Sequence, residues 1–346
     1  MEIYHTKIPA LLDEMMETPP LRRLGDVGMH CGCEYSSFPL FRFHPLSERA
    51  ERYTRDIHSL GTALIVWHFT EDPKQSAAGM LHDIATPVFA HVVDFLKGDH
   101  VKQEATEEAT REMIEGAAGL MGLLKKYGLR VDDVDDYHRY PIADNPSPGL
   151  SADRLEYTLG NFYCRRKKTL DEIRRMYESL CCMKNEKGTW ELAFRCGEAA
   201  EEFALGALEN ARMYTADEDR FCMQYLADLL KKSLEWGVLK PEDLYGTEQE
   251  VIRRMRKEER SGKLWEDYRR LSGIYVSAEK PDGCYSVCVP SKLRWIDPLF
   301  CRPDGTVVRI SAESRAVAEG IEALKKQDFK VWVFAPEGAE TAARYL

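Results

Sequence analysis

Apolar positions recur at helical spacing through most of the chain. Helices are predicted over residues 47–70, 76–97, about 106–127, about 151–182, 190–213 and 217–236. Pro45 and Ser47 open the first of these, Pro148 and Gly149 break the chain before the fourth, and Pro241 begins a further short helix. From Gly273 the pattern changes. IYVSA, CYSVCVP, TVVRIS and KVWVFAP are short β-branched and aromatic runs separated by Pro-Asp-Gly turns, with one helix over about 312–326 among them. The expected architecture is mainly α, a helical bundle over residues 1–268, followed by a small α/β subdomain over 269–346.

The 346 residues are 44% hydrophobic and 31% charged, enough for a real core, and no run approaches the ~18 apolar residues of a membrane span. The N-terminal stretch carries acids where a secretory signal carries bases, so a cytoplasmic location is expected. The net charge of −10 argues against bulk binding of nucleic acid but leaves room for a small anion in a locally basic pocket. The ten cysteines read as reduced thiols. His30-Cys31-Gly32-Cys33 lacks the second close cysteine pair of a zinc site. No Gly-rich phosphate loop or nucleophile elbow is present.

All nine histidines lie within residues 1–138. His82 and Asp83 are adjacent in an apolar run, so their polar atoms need a buried partner. His58 lies 24 residues upstream, and Asp153 opens a third helix. Two imidazoles and two carboxylates form a mixed N/O set that suits Mn, Fe, Ni, Co or Mg better than a thiolate zinc site. The expected cofactor is one divalent ion from that group, with Zn retained. Pro87 removes a helical hydrogen bond and should break the helix, which would let His91 swing toward the ion. Arg154, Tyr157, Asn161, Arg165 and Lys168 follow at steps of 3, 4, 4 and 3, a basic and aromatic stripe able to hold a polyphosphate or to face solvent.

His58, His82-Asp83 and Asp153 resemble the H…HD…D signature of the HD-domain metal-dependent phosphohydrolases. Residues 55–61 (RDIHSLG), the run 81–91 with Pro87, Phe89 and His91, and 151–157 (SADRLEY) are similar to segments of the deoxynucleoside-triphosphate triphosphohydrolase branch. The resemblance covers roughly residues 20–180. It implies that His58, His82, Asp83 and Asp153 bind the metal, and that Arg55 and Tyr157 face substrate phosphates. It also marks departures: Thr86 and Thr106 stand where that branch carries histidines, His100 is a possible substitute for the second, and Met29-His30-Cys31 falls on its sugar-reading segment.

The function expected is phosphohydrolysis of a nucleotide-like ester or anhydride. Arg55, Arg154 and Tyr157 would stabilise phosphate charge, Asn161 would add a substrate contact, and His91 would serve as general acid. No general base is assigned. A weakly active or non-catalytic nucleotide sensor, motivated by the two threonines, and a phosphodiesterase are the alternatives. The expected partner is the small anionic substrate, with no membrane and a possible homo-oligomer.

Overall fold

The computed structural model of the chain describes residues 3–5, 7–45, 52–96, 98, 109–335 and 339–346. Ser47, His100 and Thr106 lie outside them. Among the described residues there are fifteen α-helices and seven short strands, so the protein is mainly α. In chain order the helices are α1 (Ala10–Met16), α2 (Pro19–Leu24), α3 (Arg55–Thr70), α4 (Pro73–Leu81), α5 (Val92–Leu96), α6 (Thr110–Gly116), α7 (Ala118–Lys126), α8 (Ala152–Cys164), α9 (Leu170–Glu178), α10 (Gly197–Tyr214), α11 (Asp217–Glu235), α12 (Glu248–Lys257), α13 (Glu259–Arg270), α14 (Arg315–Lys325) and α15 (Ala339–Tyr345).

Helix α3 is central and nearly enclosed, with Leu60 and Ala63 through Val66 at most 3% exposed. It reverses into α4 through Glu71, in the left-handed region, and Asp72, whose carboxylate accepts from the Lys74 and Gln75 amides. Pro73 starts α4 at no cost, because the first helical N–H has no intrahelical partner. This Asp-Pro start was visible in the sequence three residues before the expected helix. The helix expected over 76–97 ends at Leu81, six residues earlier than the break assigned to Pro87. Residues 82–91 turn instead, with the Ile84 amide bonded to the Leu81 carbonyl, the Thr86 amide to that of Asp83, and Phe89 and Ala90 at φ 56° and 47°.

Two further expectations change. The long helix over 151–182 is α8 and α9, separated where Arg166 takes φ 52° and Thr169 forms a capping box with Glu172. The helix over 190–213 is a strand followed by α10. Residues Leu180–Lys184 (β1) and Trp190–Phe194 (β2) form an antiparallel hairpin. Beyond residue 268 lie β3 (Tyr275–Ser277), β4 (Ser286–Val287), β5 (Leu299–Cys301), β6 (Val307–Arg309) and β7 (Trp332–Phe334).

The strands form two sheets, ordered β1-β2-β5-β6 and β3-β7-β4. In the first, β5 runs parallel to β2, with Ala193 opposite Leu299 and Phe194 opposite Phe300. The segment after 268 therefore completes a sheet begun within the helical part. One buried cluster is built around α3, α4, α8 and α10 and takes in Ile310, Val317 and Ile321 from the C-terminal segment. A second is built around α11, α12 and α13 and takes in Phe41, Phe89, Phe95, Val287 and Val333. The functional site lies where the two meet.

Candidate metal centre and cavity

Three elements bring the four expected ligands together. His58 sits one turn into α3, His82 caps the C-terminus of α4, Asp83 follows it, and Asp153 lies in the first turn of α8. The Ser151 hydroxyl caps α8 by accepting from the Arg154 amide. His58 Nε2 and His82 Nε2 are 3.2 Å apart. Asp153 Oδ1 is 3.0 Å from the first and 3.8 Å from the second. Asp83 Oδ2 is 3.8 Å from His58 Nε2 and 3.5 Å from His82 Nε2. Among the described residues the ligand atoms of His58, His82 and Asp83 lie within 4.8 Å of one another and form a candidate cation-binding group, and Asp153 adjoins both of its imidazoles.

The outer nitrogens are fixed. His82 Nδ1 donates to the Gly79 carbonyl at 2.7 Å, which leaves its Nε2 as a lone pair. His58 Nδ1 lies 2.6 Å from Glu156 Oε2. With the proton on Nδ1, His58 also presents a lone pair, so two lone pairs and two carboxylate oxygens converge. That arrangement calls for a positive charge at its centre. In the metal-free protein a proton meets the demand: burial opposes charge on His58, but the hydrogen bonds to Asp153 and Glu156 outweigh it and lift the imidazole to about 10. Asp83, although buried, is held well below the usual carboxylate range, chiefly by Arg55. The donor set suits a divalent cation.

Glu156 was not singled out from the sequence. It is 2% exposed, and it also receives the hydroxyls of Tyr53 and, at 3.4 Å, Tyr4. A Cβ on Gly61 would come within 2.6 Å of Glu156 Cγ and Oε1, so glycine is what lets this carboxylate lie beneath His58. The available signal was spacing: Glu156 is three residues after Asp153, on the same helical face.

A cavity of about 610 Å³ opens onto the ligands, within the usual range for small-molecule sites. Arg55, Arg154, Tyr157, Asn161 and His91 all line it. Several are already engaged. Arg55 Nη1 donates to both Asp83 oxygens at 2.8 Å. Arg154 binds Asp144 at 3.0 Å, the Gly149 carbonyl at 2.7 Å and Asn145 Oδ1 at 2.7 Å, so it braces the 144–149 loop. Asn161 Nδ2 donates to the Tyr157 carbonyl and the Tyr214 hydroxyl, and its Oδ1 lies 2.9 Å from His30 Nε2. His91 Nδ1 is 2.9 Å from Asp94 Oδ2. Burial and the charges of Arg294 and Arg55 hold His91 near 4 against the pull of Asp94. Arg165 donates to Asn210, Lys168 pairs with Glu202, and neither lines the cavity.

Thr86 corrects an expectation. It is 1% exposed, does not line the cavity, and donates its hydroxyl to Asp83 Oδ1 at 2.7 Å. The position orients a ligand and does not face substrate. Lys292 and Arg294, from the segment after 268, line the cavity, as does Asp219 at the start of α11. Nothing local marked them, because 291–295 has no regular structure and reaches the site only through tertiary packing.

Fold and site together describe a mainly α protein with a candidate histidine–carboxylate cation site in the wall of a cavity. No family model matches the chain. It is 25% identical to the uncharacterized protein YdhJ of Bacillus subtilis over 330 residues, 94% of this chain and 95% of that protein. It is 24% identical over 185 residues to the metal-dependent phosphohydrolase cns2 of Cordyceps militaris, 52% of this chain and 49% of that one. The fold is shared with a phosphohydrolase from Bacteroides thetaiotaomicron, at a TM-score of 0.66 and 16% identity over 95% of this chain and 96% of that one. It is also shared with a hypothetical protein from Aquifex aeolicus, at a TM-score of 0.65 and 14% identity over 95% and 93%. No helix among the described residues is long and apolar enough to cross a membrane.

Proposed function

We propose that this chain is a metal-dependent phosphohydrolase of the HD type, acting on a small phosphate ester or anhydride of nucleotide-like character. The observation that carries the reading is the candidate cation group of His58, His82 and Asp83, with Asp153 against both imidazoles, in the wall of a cavity that Lys292 and Arg294 also line. The similarity to the fungal phosphohydrolase supports it.

A divalent ion held by these residues would polarise a phosphoryl oxygen and acidify water. The rest falls to side chains of this chain. Arg55 and Thr86 hold Asp83 in orientation, and Glu156 holds His58. Arg294 and Lys292 neutralise phosphate charge, the positioned electrostatic stabilisation on which such reactions depend. His91, oriented through Nδ1 by Asp94, is neutral near pH 7, so its Nε2 is placed to accept a proton and not, as expected from the sequence, to donate one to the leaving oxygen.

The test is release of phosphate, pyrophosphate or triphosphate from a nucleotide panel with Mn or Mg. Metal-dependent turnover that vanishes in His82→Ala/Asp153→Ala is expected. A metal-loaded wild type inert on the whole panel, phosphodiesters included, would overturn the reading.

A further inference from the structure

The metal ligands come from helices whose apolar faces form the first buried cluster, whereas Phe41, Phe95, Met213 and Met223, which also line the cavity, belong to the second. These four give the cavity wall an apolar part beside the histidines and carboxylates, and Tyr137, Leu293 and Trp295 from the first cluster add further apolar surface. Asp219, in the first turn of α11 and one helical turn before Met223, also lines the cavity, and it accepts from the Cys33 thiol at 3.9 Å. A thiol is a weak donor, and a carboxyl offers several more hydrogen-bonding positions. A polar group placed among aromatic and methionine side chains, with so little of its capacity used, is the kind of group that fixes a ligand's orientation in an otherwise apolar pocket.

We propose that the apolar part holds the planar nitrogen heterocycle of the substrate, with Asp219 as the specificity-determining residue that hydrogen-bonds its N–H edge. This rests on the phosphohydrolase reading for the rest of the cavity and names the organic part of the substrate. Phe41 and Phe95 supply ring faces, and the methionines adapt to the ring's outline. Arg294 lines the same cavity and acts electrostatically on Asp219, His91 and Tyr157. Burial pushes the Asp219 carboxyl up to about 8, with Arg294 opposing, so near neutrality it can both donate and accept.

Calorimetric titration of metal-stripped protein with adenosine, guanosine, cytidine and ribose tests the assignment without phosphate or metal. At least one nucleoside should bind saturably while ribose does not. Asp219→Leu should weaken that binding tenfold or more, and Asp219→Asn, which keeps the shape and changes the donor pattern, should alter the ratio of adenosine to guanosine affinity. Absence of saturable nucleoside binding, ribose binding equal to that of the nucleosides, or affinities and ratio unchanged in both variants would overturn the assignment. Failure of the wild type to release phosphate from any nucleotide overturns the catalytic reading instead.

Discussion

Thr86 donates its hydroxyl to Asp83 Oδ1 at 2.7 Å, on a carboxylate whose two oxygens Arg55 also contacts at 2.8 Å. Asp83 is thus aimed before any cation arrives. Removing an outer partner of a metal ligand typically costs about 10–100-fold in metal affinity. Thr86→Val should lose metal affinity in that range by titration with a chromophoric chelator. Thr86→His should lose at least as much, with no gain in turnover, because the larger ring displaces Asp83. Higher turnover at unchanged metal content would show instead that the position handles protons.

The purified protein should carry about one divalent ion per chain. His82→Ala combined with Asp153→Ala leaves two of four donors and should abolish stoichiometric binding, since ligand loss removes site stability directly. Equal metal in wild type and double variant by elemental analysis would mean the four residues are not the cage.

Gly61→Ala places a methyl group within 2.6 Å of Glu156. The carboxylate must move off His58 Nδ1, so metal affinity should fall by about 10–100-fold. Overpacking should also cost about 1–3 kcal/mol of stability in urea titrations. Gly79→Ala, whose nearest added contact is 3.5 Å, is the comparison and should leave metal affinity intact.

Stability should fall as pH rises through neutrality, and Glu34 should account for part of it. Burial, then the nearby Glu248 carboxylate, raises Glu34 from 4.5 to about 7. A folded-state pKa above the unfolded value means stability fully present below about pH 4.5 and lost as pH rises through 7. Glu34→Gln should flatten that interval, and the difference between the two profiles should be on the order of 3 kcal/mol across it. Parallel profiles from pH 4.5 to 8 would show that Glu34 titrates normally.

A chain ending at residue 268 should fail to fold. Truncation removes β5 from β2 and exposes Ala193 and Phe194, both fully buried in the intact protein. A cooperative thermal transition in the truncated chain would show that residues 1–268 are self-sufficient.

The helical periodicity of α3, α8, α10 and α11 was legible in the chain itself, and His58, His82, Asp83 and Asp153 could be named there as candidate ligands. Helix periodicity is a local property, and His82-Asp83 in an apolar run announces a polar pair in need of a partner. The hairpin β1–β2 was hidden because its apolar residues pass equally for a buried helix; its strand state depends on pairing with Leu299 and Phe300, over a hundred residues away. Thr86 was legible only as standing where the resembled branch carries a histidine, and only the turn after α4 aims it at Asp83. Glu156 beneath His58, Lys292 and Arg294 on the cavity wall, and Asp219 beside the Cys33 thiol were all decided by tertiary packing. Contacts between residues distant in sequence leave no periodic trace, because each segment's local energetics are satisfied before the segments meet.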